Sequence, residues 1–133
     1  MIIDAFITKA AFDVTPKLSG SFAKDLRSVL TKLFEILETP LGPALIATAA
    51  ELRARSGSDY SRAYFDRRMA QLDPMFDAAV DRGELPKEVD REALFTFAAG
   101  SIYFRMFIAA RGVDGKFITT IVDHVRRIYG AGA

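Results

Sequence analysis

Between Ala93 and Ala110 only Thr96, Ser101 and Arg105 interrupt a run of Ala, Leu, Phe, Gly, Ile, Tyr and Met. A helix over this stretch has no polar face to turn toward water, and a single stripe of neighbours cannot cover it. The boundary in front of it is sharply written. Gly83 supplies the left-handed residue that closes a preceding helix, and Pro86 blocks its continuation. Asp90 then reads as an N-cap, with Val89 before it and Leu94 four positions into the new helix, the spacing of a hydrophobic staple. The run is about long enough to span a bilayer, but Arg105 lies well inside it, where a charge is costly without a buried partner. The expectation is a water-soluble protein whose surplus apolar surface meets another protein surface.

Composition points the same way. Hydrophobic residues make up 50% of the 133-residue chain before its nine glycines are counted, which exceeds an ordinary soluble domain and still fits one core, so residues 1–133 are expected to form a single domain. Lys and Arg total 18 against 17 acids, a formal net charge of +1 that offers no electrostatic case for nucleic acid or an anionic membrane. The absence of cysteine excludes disulfides and thiolate chemistry and permits a cytoplasmic setting. Met1-Ile2-Ile3 runs straight into Asp4, so no secretory signal is read.

Six helical segments are expected and no strand competes with them. The first, about Ile2 to Asp13, carries Ile2, Ile3, Phe6, Ala10 and Val14 at helical spacing, and a loop with Pro16 and Gly20 follows. Ser21 caps the second, whose Phe22, Leu26, Val29, Leu30, Leu33 and Leu37 share one face. Thr39-Pro40 ends it and starts the third, striped by Leu41, Leu45, Ala49 and Leu52. Asp59 opens a long fourth helix to Arg82, with a kink expected at Pro74. The fifth is expected from Arg91 to Arg111. The sixth follows Gly112-Val113-Asp114 and sets Phe117, Ile118, Ile121, Val122, Val125, Ile128 and Tyr129 on one broad face.

Catalytic chemistry has little material. One histidine, His124, stands beside Asp123 and two arginines on a polar face, so a multi-histidine metal site cannot form within one chain. Asp73, Asp77 and Asp81 step by four along one helix face, a spacing that a solvated acidic face also produces. Neither a metal nor a cofactor is expected, and no catalytic residue is assigned. Eleven Phe, four Tyr and four Met are more informative. Tyr64, Phe65, Met69, Leu72, Met75 and Phe76 of the fourth helix, Phe97, Ser101 and Phe104 of the fifth, and Phe34 and Leu37 of the second are candidates to line an apolar ligand cavity. The same residues at the same spacing also describe an ordinary core. Arg105 inside its apolar helix is expected to reach solvent, a carboxylate or an anionic ligand, with an ion pair favoured.

The succession Arg82-Gly83-Glu84-Leu85-Pro86, Val89-Asp90 and Ala98-Ala99-Gly100-Ser101-Ile102-Tyr103-Phe104-Arg105 resembles the C-terminal half of tetracycline-repressor (TetR) family regulators. The likeness reaches the sixth helix and extends more loosely back to about Ser19. The helix-turn-helix that marks the family's N-terminal head is not found in these residues. The resemblance implies an all-α, six-helix regulatory domain whose last two helices pair with their copies as a four-helix bundle. It implies a homodimer that binds a small hydrophobic effector, with DNA bound through a head beyond these residues, no membrane, and residues 1–13 as the remnant of a linker helix. Phe95, Gly100, Ile102, Met106, Ile121, Val125 and Ile128 are the candidate dimer contacts. A freestanding helical adaptor and a small cofactor-free enzyme are the alternative readings.

Overall fold

The computed structural model describes residues 13–57 and 59–131, without the side chains of Ser56 and Tyr60. Helices α1 (Phe22–Glu38), α2 (Leu41–Ser56), α3 (Asp59–Asp81), α4 (Arg91–Tyr103) and α5 (Gly115–Tyr129) account for it, with a π-helical turn, Phe104–Ile108, continuing α4. No strand occurs among the described residues, so the fold is all-α. Five of the six expected helices are present, and the expected first segment, Ile2–Asp13, lies outside the described residues.

Helix α1 is the hub, because each of the other four helices packs against it. Its sequence explains why. Phe22, Leu26, Val29, Leu30, Leu33 and Leu37 recur at helical spacing and are all buried. Ser21 caps it by accepting from the Lys24 amide at 3.3 Å. The Phe22 amide, one of the first-turn donors without a helical acceptor, donates to the Glu84 carboxylate at 3.2 Å. Glu84 also receives Arg82, and its backbone carbonyl accepts from the Ala131 amide at 3.0 Å, so the α3–α4 turn ties the start of α1 to the end of α5.

That turn is built as its residues dictate. Gly83 has φ +79°, its amide donates to Val80 at 3.0 Å, and the Glu84 amide donates to Ala79 at 2.9 Å, the two bonds of a Schellman motif. Asp90 caps α4 by accepting from the Ala93 amide at 3.0 Å. Arg91 then reaches back to Asp73 at 3.2 Å and Asp77 at 2.9 Å on α3, with its guanidinium over the Phe76 ring. Two of the three stepped aspartates are therefore partners of one arginine. Helix α3 continues through Pro74, which stands at an exposed position.

Helices α1 and α2 meet at 85°. Thr39 serves both: its amide and hydroxyl donate to Ile36 at 3.1 and 2.6 Å, and its hydroxyl accepts from the Leu41 amide at 3.3 Å. Gly42 permits so tight a corner, because a Cβ there would collide with the carbonyl of Leu37. Beyond the corner α2 lies across the domain with Leu45, Ile46, Ala49 and Leu52 half-buried and no large side chain fully covered.

Regular α4 stops at Tyr103, short of the expected Arg111. The π turn follows, and Ala110 adopts φ +52° to end it, a strained conformation for a residue with a Cβ. Among the described residues Arg105 has no carboxylate partner: its Nε donates to the Gly112 carbonyl at 2.7 Å and its guanidinium sits 4.4 Å from the centre of the Phe117 ring. Among the described residues this bond, and not an ion pair within the chain, fastens the α4–α5 connection. Asp114 caps α5 through the Phe117 amide at 2.8 Å.

Removing the turn's two local devices should show in whole-chain urea unfolding. Asp90→Ala is expected to lower stability by about 1 kcal/mol, and Gly83→Ala by about 1–2 kcal/mol. Unchanged midpoints in both variants would mean that packing alone sets this junction.

Candidate functional site

Helix α4 has three apolar faces, and each meets a different environment. Leu94, Phe95, Ala98 and Ile102 point into the core. Thr96, Ala99, Gly100 and Tyr103 line a cavity of about 320 Å³, closed further by Phe95 of the same helix, Leu33 of α1, Leu45, Ile46 and Ala49 of α2, and Ser61, Tyr64, Phe65 and Arg68 of α3. The volume is at the small end of ligand pockets, which run roughly 300–1,000 Å³. The third face carries Phe97 and Phe104, exposed at 63% and 62%, and is continued by Ile108 of the π turn at 71% and Ile128 of α5 at 68%. Phe97 and Ser101 form with Phe117, Thr120, Ile121, His124, Val125, Ile128 and Tyr129 a groove of about 260 Å³ on that side.

One corner of the cavity is polar. Arg68 is 2% exposed, donating from Nη2 to the Tyr64 hydroxyl at 2.7 Å and from Nη1 to Gln71 at 3.0 Å, with its guanidinium 5.3 Å from the Tyr64 ring centre. Tyr103 completes the corner. Burial pushes its hydroxyl far above the ordinary phenol range, the neighbouring Tyr64 adds to that, and the positive charge of Arg68 opposes it. Tyr103 is therefore a neutral hydroxyl under all ordinary conditions. No carboxylate lines the cavity among the described residues.

The sequence-derived candidates divide among these environments. Of the residues expected to line a ligand cavity, Tyr64 and Phe65 do so. Leu37, Leu72, Met75 and Phe76 are fully buried in the core, and Phe34 and Met69 pack against it. Phe97, Ser101 and Phe104 stand on the outer face of α4 instead. Among the expected dimer contacts, Phe95 and Gly100 line the cavity, Ile102 is in the core and Met106 packs on it. Ile121 and Val125 are buried at the floor of the outer groove, and Ile128 projects from it. The physical reason is that a helix apolar on every side gives no marker of rotational phase.

Arg68 was not among the candidates. A signal for it exists in the sequence: it falls in helical register with Leu72, Met75 and Ala79, all buried, so the charge had to enter the interior. Thr96, Ala99, Leu45, Ile46 and Ala49 carry no comparable mark. His124 is exposed in the outer groove, on the far side of α4 from Ser61. No group of three acidic or histidine ligands that could hold a metal occurs among the described residues, and no single helix there is long and apolar enough to cross a membrane.

Comparison with known proteins agrees with this architecture. A family model described as the tetracyclin repressor-like C-terminal domain matches residues 16–125. The chain is 23% identical over 124 residues to YdeS of Bacillus subtilis strain 168, an uncharacterized HTH-type transcriptional regulator, covering 92% of this chain and 63% of that protein. It is 26% identical over 125 residues to AqdR of Rhodococcus erythropolis, an HTH-type transcriptional regulator, covering 93% and 58%. The chain thus spans about three-fifths of the length of these curated relatives. The crystal structure of the TetR family transcription regulator SCO0332 superposes with a TM-score of 0.76 at 19% identity, over 94% of this chain and 70% of that one.

The half-buried Tyr103 predicts a pH effect with a definite sign. Its folded-state pKa is raised, so above about pH 10, where an unfolded tyrosine releases its proton, the unfolded state binds fewer protons and stability falls as pH rises. Tyr103→Phe should flatten that decline in denaturation measured on both sides of pH 10. An equally steep decline in the variant would place the titrating group elsewhere.

Proposed function

Since the chain belongs to the tetracyclin repressor-like C-terminal domain family, we propose that it is the effector-sensing and homodimerising part of a transcriptional repressor. Its DNA binding would reside in a helix-turn-helix head joined through the segment at residues 1–13. The supporting observation is the division of α4, which lines a mostly apolar cavity on one side and presents exposed Phe97 and Phe104 on another. The outer face, with Ile108 and Ile128, is the surface offered to a second copy, whose own α4 and α5 complete a four-helix bundle. Burying these side chains in a dimer removes the apolar surface that a lone copy leaves in water.

A small apolar effector in the cavity touches the inner side of the helix whose outer side meets the partner. Binding moves the dimer between arrangements only if the effector favours one of them. Among the described residues α2 is the cavity wall with the fewest covered side chains, and it is the element most easily displaced on ligand entry. The cavity favours this reading over a helical adaptor, which needs none. A serine–histidine enzyme is disfavoured because the chain's one histidine, His124, lies in the outer groove and not in the lining of the cavity that holds Ser61. A cytoplasmic site of action follows from the same reading.

Light scattering on the purified chain is expected to give twice the 14.7 kDa chain mass at micromolar concentration, and Phe97→Glu with Ile128→Glu to give the single mass. A wild-type monomer overturns the dimer. This chain alone is also expected to give no sequence-specific mobility shift with its regulator's operator at physiological salt.

A further inference from the structure

The cavity continues beyond its apolar part. Ala49, Ser61 and Phe65 also border a recess of about 560 Å³, lined further by Arg53 of α2, Asp66 of α3 and Glu92 of α4. We propose that the cavity and this recess form one elongated site for a one-tailed amphiphile, whose hydrocarbon tail lies in the cavity and whose uncharged polar head lies in the recess. The proposal rests on the reading of this cavity as the effector site.

The order of residues along the walls carries it. On α4, Glu92 lines the recess while Thr96, Gly100 and Tyr103 line the cavity, and steps of four, four and three put all of them on one helix face. On α2, Leu45 and Ile46 lie in the cavity, Ala49 borders both spaces and Arg53 lies in the recess. Ser61 and Phe65 of α3 also border both. The helices therefore frame one run from a charged end to an apolar end, with small Ala49 and Ser61 at the junction. Tyr103 is eleven positions beyond Glu92, so the run is about 16 Å long at the rise of an α-helix. Thr96 and Gly100 are exposed, which leaves the run open along α4 to an extended ligand.

The two ends ask different things of a ligand. At the cavity end the polar groups satisfy one another: Arg68 donates to Tyr64 and Gln71, and the hydroxyls of Tyr64 and Tyr103 are hydrogen-bonded together. The charge of Arg68 also acts on Asp13. A polar ligand atom pressed against this corner would give up water without gaining a partner, whereas a methyl terminus gives up nothing. At the recess Arg53 and Arg62 stand beside Asp66 and Glu92, all of them exposed. Two charges of each sign in water select neither an anion nor a cation, while hydroxyls find both donors and acceptors among them.

The test is calorimetric titration of the whole chain with 1-monodecanoylglycerol, 1-monohexanoylglycerol and decanoate, each below its micellar concentration, and with toluene, a probe of a size that the cavity alone can hold. Wild type is expected to bind monodecanoylglycerol about tenfold or more tightly than the hexanoyl analogue, since one buried methylene contributes up to about fourfold. It should also bind monodecanoylglycerol more tightly than decanoate. Gly100→Leu, at a position where an added Cβ meets no atom within 4 Å, should fill the cavity and remove the chain-length effect. Ala50→Trp, at an exposed position of the recess, should weaken monodecanoylglycerol about tenfold and leave toluene unchanged. Toluene binding with no chain-length effect in the glycerides would overturn the elongated site and leave the effector cavity standing. Monodecanoylglycerol binding that survives either substitution would overturn it as well, and tighter binding of decanoate would overturn the uncharged head. Failure of wild type to bind any probe would end both the inference and the cavity reading beneath it.

Discussion

A helix with no polar side is the constraint on which the rest of this fold depends. Water cannot be the neighbour of α4 on any face without a penalty, so the domain arranges three kinds of cover around it. One face meets the core that α1 organises, a second meets an apolar cavity, and a third stays bare in the single chain with Phe97, Phe104 and Ile108 exposed. These are one problem with three partial solutions. The cavity and the bare face are two places where the described residues leave apolar surface uncovered, and the proposed effector and second copy would each cover one of them.

The electrostatics follow the same economy of surface. Arg68, Arg91 and Arg105 each lie over an aromatic ring, of Tyr64, Phe76 and Phe117 respectively. An arginine suits these positions because its planar cation stacks on a ring while its N–H groups reach a fixed acceptor. Arg91 locks α4 to α3 through two aspartates, and Arg105 locks the π turn to the start of α5 through a carbonyl. Arg68 holds Tyr64 and Gln71 along its own helix at the wall of the cavity.

Much of the fold was legible because amphipathic helices carry their own phase. The stripe from Phe22 to Leu37 fixed which side of α1 is buried, and the Ser21, Asp90 and Asp114 boundaries match caps seen in the structure. Gly83 and Pro86 marked a turn whose hydrogen bonds are those of the motif their positions imply. Legibility failed where pattern was missing. Nothing in the run from Ala93 to Ala110 distinguishes Phe95, which lines the cavity, from Phe97, which is bare, and no Gly, Pro or cap announces the π turn at Phe104. Arg68 was hidden by a neighbour, since the Arg67-Arg68 pair reads as a charged surface until its register with Leu72 and Met75 is traced.

The chain contains no cysteine, so a thiol placed in position 128 is a unique reporter of the bare face. Labelling of Ile128→Cys by a soluble thiol reagent, followed across protein concentration, asks directly whether a second copy covers α4 and α5. Labelling that slows as concentration rises, while a thiol at exposed Ala50 stays fast, is the predicted result. Rapid, concentration-independent labelling at position 128 would contradict the claim that the surplus apolar surface is shared between two chains.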